Sequence, residues 1–336
     1  MERSTDVNTY GRPSGVAARV VAPEPSVSFE LYPPKTDATR AALPDTLVRL
    51  AEAGPEFFSV TYGASGSTRH ISHDVVRWIL ANTGTDVVAH LTCIGLPWAQ
   101  VRPVAEQFLA DGVRNLLALR GDPPAGVPYW RPEPGGLRYA SELVTHLLEL
   151  GDELGVPLSV GVAATPSAHW QVPYHPSDDG ADAGDDIQAL LAKQEAGADY
   201  AISQVFFEVS SYTRYLAAAR AAGVTIPLLP GIVPLTDPKR LRRLEEISGV
   251  PVPPEILQRL DAATDLEEQR VVGTAMGVDL VHQVLAAGAP GLHIYTFNQH
   301  TPALDLLEGA HLDDRGHLGP DVAGGPQVTA PLFTKG

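Results

Sequence analysis

The 336-residue sequence contains one cysteine, Cys93, which excludes an internal disulfide framework and a cysteine-ligated zinc cluster. Nowhere do 18 apolar residues run together, so no segment reads as a membrane-spanning helix. Residues 1–25 carry Glu2, Arg3, Asp6, Arg12 and Arg19 in place of the apolar core of a secretory leader. Positive charge is in deficit, since 24 Lys and Arg face 40 Asp and Glu for a net charge of −16, which argues against a broad nucleic-acid footprint. No G-x-G-x-x-G follows a strand-like run and no G-x-x-x-x-G-K-[ST] occurs, so neither a Rossmann dinucleotide site nor a P-loop is supported. With a single cysteine, redox chemistry, if present, must use a cofactor. The lone thiol fits a reducing, cytoplasmic setting.

What the sequence does contain is a core and its punctuation. Apolar residues make up 44% and charged residues 19%, enough to bury a sizeable interior. The 31 glycines and 30 prolines fall between periodic segments, as the short loops of an α/β fold require. Eight strand-like runs appear, at Val27 to Leu31, Phe57 to Tyr62, Val87 to Thr92, Asn115 to Arg120, Leu158 to Ala164, Tyr200 to Phe206, Ile226 to Ile232 and Leu292 to Thr296. Helical spacing lies between them, as in Leu43, Leu47 and Leu50, or Leu143, Leu147, Leu150 and Leu154. Asp237-Pro238 has the chemistry of a helix start, and Pro251 to Pro254 breaks the chain before another short helix, so an insertion is predicted between strands seven and eight.

Eight β/α units from Val27 to about His311 predict a single-domain (β/α)8 TIM barrel, with a doubly wound sheet as the alternative. The expected division is a flexible segment over 1–25, the barrel over 26–311 and a flexible tail over 312–336. The acidic loop from Asp178 to Asp186 has no His partner at ligand spacing, and no metal site is expected.

Active sites of such barrels form at the carboxyl ends of the strands, and here those ends are polar: Glu30, Thr61, His90 and Thr92, Arg120-Gly121-Asp122, Gln204, and Tyr295 with Asn298 nearby. Glu30 stands beside Leu31, Tyr32 and two prolines, a wall that predicts a carboxyl raised by desolvation and suited to general-acid work. Asp122 follows Arg120 by two residues, a spacing equally consistent with an ion pair. His169 and Lys193 are candidates to contact an anionic phosphate.

Taken in order along the chain, SFELYPPKT from Ser28, SVTYGASGSTR from Ser59, AHLTC from Ala89, LLALRGDPP from Leu116, KQEAGADYAISQVFFEVSSY from Lys193, LLPGIVPLT from Leu228 and GLHIYTFN from Gly291 resemble the methylenetetrahydrofolate reductase family. The resemblance spans residues 28 to about 310. It implies a homo-oligomeric flavoprotein barrel that reduces 5,10-methylenetetrahydrofolate to 5-methyltetrahydrofolate, with NADH or NADPH as hydride donor and FAD taking hydride and passing it on in turn. By position, Glu30 would be the general acid that assists opening of the folate's five-membered ring, and Asp122 would face both pterin and flavin. Gln204 would bond the pterin, with Tyr295 and Gln299 completing the folate site. Thr61, His90, Arg120, Gly121, Asp122, Tyr139, Ala140, His169, Asp186 and Lys193 would hold FAD.

The chain departs from the family pattern at several points. Thr165-Pro166-Ser167-Ala168-His169-Trp170 replaces an aromatic-Pro-Glu-x-His-Pro turn, Ala189 and Ala192 replace polar or basic residues of some relatives, and Leu244 replaces a Phe. Gln299 stands where many members have Arg. These departures keep two alternatives in view: direct hydride transfer from NAD(P)H without tightly bound flavin, and a non-catalytic barrel that binds folate or flavin.

Overall fold

The computed structural model describes residues 15–20, 24–62, 69–93, 95–121, 134–166, 186–312 and 332. Eight parallel strands close into a barrel in sequence order: β1 (Ser26–Leu31), β2 (Phe57–Val60), β3 (Asp86–Thr92), β4 (Asn115–Leu119), β5 (Ser159–Ala164), β6 (Tyr200–Val205), β7 (Leu228–Ile232) and β8 (Gly291–Tyr295). The barrel expectation is borne out. Parallel strands covered on both faces read as nearly continuous apolar runs, which is why they stand out in this sequence.

Side chains alternate across each strand. Outward residues such as Phe29, Phe58, Ala89, Val162 and Ile294 join the main core beneath the helices. Inward residues Phe57, Val88, Leu117, Tyr200, Ile202 and Leu229 fill the lower barrel. Room for the buried Tyr200 ring comes from Gly161 on β5, where a Cβ would lie 2.5 Å from the Tyr200 ring.

The helices lie outside: α2 (Asp37–Glu52), α3 (Arg69–Asn82), α4 (Trp98–Ala110), α5 (Ala140–Leu154), α6 (Asp186–Glu195) and α7 (Val209–Ala221) follow β1 to β6. Between β7 and β8 come α8 (Pro238–Ser248), α9 (Pro254–Asp261) and α10 (Leu266–Ala286), the insertion that the prolines predict, and α11 (His300–Gly309) follows β8. Asp237 caps α8 as expected, its carboxylate accepting from Lys239 N at 3.0 Å and Arg240 N at 3.1 Å, with Pro238 in the first turn.

One short helix, α1 (Val16–Val20), departs from the expectation of a flexible segment over 1–25. Val16 and Val20 are fully buried against Phe57, Val88, Leu117 and Tyr200, so α1 covers the barrel floor. Val16 N donates to Asn115 Oδ1 at 3.0 Å, which fixes its first turn. Two apolar residues four apart offered too short a pattern to be read as a helix. Leu332, within the expected tail, is also buried against the main core.

Candidate active site

The inward residues of β1, β2, β3 and β8 meet near the upper end of the barrel. Glu30 follows Ser28 by two residues on β1, and Tyr295 follows His293 by two on β8, so each pair shares one inward face. Glu30 Oε1 accepts from Thr61 Oγ1 at 3.3 Å. Its Oε2 lies 3.3 Å from His293 Nε2 and 3.7 Å from His90 Nε2. His90 Nε2 is 2.5 Å from Ser59 Oγ, and His293 Nδ1 is 2.8 Å from Ser28 Oγ. His293 is fully buried, with its ring stacked on Phe57, whereas the Glu30 side chain keeps 19% exposure. The cluster therefore opens to the site through the carboxylate.

The hydrogen bonds constrain where protons reside. Ser28 has one hydroxyl hydrogen. If it goes to Leu292 O, 3.1 Å away, Nδ1 of His293 must donate to Ser28. The Glu30–His293 contact then joins a carboxylic acid to a neutral imidazole, or a carboxylate to an imidazolium. If Ser28 instead donates to Nδ1, then Nε2–H donates to a carboxylate. Every hydrogen-bonded arrangement puts a proton between Glu30 and His293.

Burial works to raise the Glu30 carboxyl, but the His293 hydrogen bond, the charges of His90 and His293 and the Thr61 hydrogen bond together outweigh it, leaving Glu30 below its ordinary value. The raised value expected from sequence is thus corrected. His90 is lowered chiefly by burial, against the pull of Glu30, and stays neutral more readily than a free imidazole. Sequence inspection missed Ser28, Ser59 and His293 as site residues, although period-two spacing to Glu30 and Tyr295 marks two of them.

Glu30, Tyr32, Gln204, Leu244, Tyr295 and Phe297 line a cavity of about 270 Å³. A larger, more open groove of about 360 Å³ beside Phe207, Ile256 and Met276 contains none of the clustered groups. The β6–β7 register shifts between Ile202 and Val205, and Gln204 falls within that irregularity, which re-aims its side chain. Its Oε1 accepts from Val205 N at 2.9 Å. Tyr295 OH donates to Ser203 O at 2.9 Å, anchoring the ring across the β6, β7 and β8 ends. Gln299 sits at the start of α11, its Oε1 accepting from Arg240 Nη1 at 2.7 Å.

A second group gathers toward the β4, β5 and β6 ends. Lys193 Nζ donates to Ala163 O at 2.9 Å. Burial pushes the Lys193 amine down to about 8, opposed by the Asp186 carboxylate and reinforced by the Arg120 charge. Gly121 follows Arg120 with φ +85°, a left-handed turn that suits glycine. Tyr139 precedes α5 and is 44% exposed, while Ala140 is buried behind it. Asp122 and His169 lie outside the described residues. The structure thus joins Glu30, Thr61 and His90 in one cluster, sets Gln204 and Tyr295 around the same cavity, and couples Arg120, Asp186 and Lys193. Among the described residues no group of three or more His, Cys, Asp and Glu is placed to hold a metal ion.

The Lys193 value carries a pH prediction. An anion binds the ammonium form, so bound anion raises the amine above about 8. Affinity for an anionic dinucleotide is expected to hold level below pH 8 and weaken above it by up to about tenfold per pH unit. FAD titrations from pH 6.5 to 9.5 should show this slope in the native protein and lose it in Lys193→Met. A flat profile in both would reject Lys193 as an anion contact.

A closed (β/α)8 barrel with a carboxyl–histidine cluster and a buried amine at its strand ends defines an enzyme of the barrel class, with the site in the usual strand-end ring. The chain belongs to the methylenetetrahydrofolate reductase family, whose sequence pattern it matches over residues 16–311. It is 34% identical over 275 residues to the 5,10-methylenetetrahydrofolate reductase of Escherichia coli, covering 82% of this chain and 86% of that one. It is 33% identical over 294 residues to methylenetetrahydrofolate reductase 2 of Saccharomyces cerevisiae, covering 86% and 48% respectively. An NADH-named relative from Zea mays is 32% identical over 283 residues, covering 83% and 47%. The chain therefore spans about half the length of these yeast and plant relatives, and most of the bacterial one. Among solved structures, a Clostridium thermocellum protein that binds two copies of 5-methyl-5,6,7,8-tetrahydrofolic acid matches with a TM-score of 0.55 at 12% identity, covering 86% of this chain and 94% of that one, a likeness of fold.

Proposed function

We propose that this chain reduces 5,10-methylenetetrahydrofolate to 5-methyltetrahydrofolate with NAD(P)H as hydride donor and FAD as bound cofactor, supplying methyl groups for methionine synthesis. The observation that carries this reading is Glu30 at the cavity wall, with a proton held between it and His293. Family membership supplies the reaction; the local geometry supports the division of roles.

Opening the folate's five-membered ring requires a proton on the departing nitrogen. Glu30 delivers it, its carboxyl held below the ordinary value by the hydrogen bond to His293 and the charges around it. Thr61 holds the other carboxylate oxygen, which keeps Oε2 turned toward His293. Gln204, shaped by the β6 irregularity, presents a side-chain amide to the pterin edge, and Tyr295 walls the ring. Asp122, with its negative charge, would favour the cationic iminium form of the opened ring.

The second group fits an anionic, planar cofactor, because a buried amine whose charge is disfavoured by burial gains stability when a phosphate takes its place opposite it. Lys193 and Arg120 would hold the pyrophosphate, with Thr61, His90, Gly121, Tyr139, Ala140, His169 and Asp186 around the remainder. The bound flavin would supply the two-electron carrier that polypeptide side chains lack. Cytoplasmic location and self-association belong to the same reading. No described helix is long and apolar enough to cross a membrane. A single monomeric mass across a dilution series would oppose self-association.

The test is an absorption spectrum of the purified protein, followed anaerobically by NADH or NADPH and then 5,10-methylenetetrahydrofolate. A flavin band bleached by the nucleotide and restored by the folate is the expected result. A colourless protein with folate-dependent loss of NADH would replace it by direct transfer and give Thr165, Ala189 and Ala192 their meaning. Neither signal, even with added FAD, would leave a non-catalytic binding barrel.

A further inference from the structure

We propose that Arg240 is the residue that receives the terminal carboxylates of the folate, taking over at the cavity mouth the cationic role for which position 299 offers only a neutral Gln. The assignment rests on the folate-reducing reading above and deepens it.

The argument begins with the exit of β8. Phe297 and Asn298 both have positive φ, +51° and +56°, an uncommon backbone for side-chain-bearing residues. The turn is held by its neighbours: Asn298 Oδ1 accepts from Tyr32 N at 3.0 Å and Nδ2 donates to Tyr32 O at 2.8 Å. Tyr32 OH donates to Phe297 O at 3.2 Å, and Asn298 N donates to Thr296 Oγ1 at 3.1 Å. This bracing keeps the Phe297 ring in the wall of the cavity that also contains Glu30 and Gln204. A flat ring at this place suits an aryl group lying between a buried reacting centre and a charged outer tail.

Arg240 reaches the same turn from the start of α8. Its backbone N–H is fixed by the Asp237 cap in the first turn of α8, and its guanidinium lies 5.0 Å from the Phe297 ring centroid. Stacking and the 2.7 Å bond to Gln299 hold the fork in one orientation, with the side chain 27% exposed. Asp237 Oδ2 lies 3.8 Å from Nη2, an ion pair longer than a hydrogen bond. A guanidinium has five N–H donors, of which Gln299 engages one. Because the Gln299 oxygen faces Arg240, its amide N–H2 adds donors beside the same fork.

Charge makes this position selective. In a chain of net charge −16, Lys239, Arg240, Arg242 and Arg243 crowd one stretch of α8. Arg242 pairs with Asp261 and Arg243 with Glu246. Arg240 has only the long 3.8 Å pairing with Asp237, and its guanidinium rests on the Gln299 amide and on Phe297, a ring that lines the cavity. A planar, preorganised fork recognises a carboxylate by paired hydrogen bonds, and within a Debye length it overrides the distant negative field.

The experiment compares the native protein, Arg240→Gln, Gln299→Arg and the double swap in steady-state kinetics. The substrates are 5,10-methylenetetrahydrofolate and its analogue that ends at the benzoate, without the glutamate. Arg240→Gln is expected to raise KM for the full substrate about tenfold or more with kcat far less affected. That penalty should shrink to near onefold with the truncated analogue, and Gln299→Arg added to Arg240→Gln should recover most of the loss. An unchanged KM in Arg240→Gln, or an equal rise with both substrates, overturns the assignment while leaving the enzyme reading intact. Absence of turnover and of 5-methyltetrahydrofolate binding by the native protein overturns both.

Discussion

Replacing Glu30 with Gln is expected to slow reduction of 5,10-methylenetetrahydrofolate by about 10²–10⁴-fold, the usual worth of a positioned general acid. Gln matches Glu in size, so Thr61 and His293 keep a hydrogen-bonding partner and the barrel end keeps its packing. What disappears is the acid itself, since an amide cannot give up a proton to the substrate. Hydride uptake from NAD(P)H needs no proton from this carboxyl and should persist. Stopped-flow measurement of the two half-reactions separately checks the claim. Equal loss of both would mean that Glu30 maintains the site's shape and does not act as its acid.

Gly231→Ala is expected to destabilise the protein by about 3 kcal/mol, a fall in Tm of roughly 5–10 °C, and to displace Tyr295 from the site. A Cβ at this position would stand 2.3 Å from Ser203 O and 2.7 Å from Tyr295 Cε2. Ser203 cannot yield freely, because its hydroxyl accepts from Gly231 N at 2.8 Å while its carbonyl accepts from Tyr295 OH at 2.9 Å. One methyl group therefore pushes against backbone and against a site residue together. Gly54→Ala is the control: φ is +64° there and nothing lies within 4 Å of the added carbon, so only the left-handed backbone cost of about 1–2 kcal/mol applies. Thermal unfolding that ranks Gly231→Ala no worse than Gly54→Ala would defeat the close-approach argument.

The barrel was legible because its strands are short apolar runs bounded by glycine and proline, and because polar residues stand at the ends of six of the eight. Asp237-Pro238 even disclosed the start of α8. The state of Glu30 was not legible. It depends on Thr61, His90 and His293, which come from other parts of the chain, His293 being 263 positions away. A wall of Tyr32 and prolines suggested desolvation alone, and no local pattern announces that two imidazoles will close on the same carboxylate. His293 itself was hidden inside Gly-Leu-His-Ile-Tyr, which reads as an apolar strand until the inward face is traced from Tyr295. Arg240 looked like one member of a solvated basic run, and only the tertiary approach of Phe297 and Gln299 distinguishes it.

The short helix beneath the barrel has a consequence for traffic. With Val16 and Val20 wedged under Phe57, Val88 and Tyr200, side chains seal the floor of the barrel, opposite the strand-end face. In the proposed reaction a nicotinamide nucleotide and a folate would both come and go at the strand-end face, with no traffic through the sealed floor.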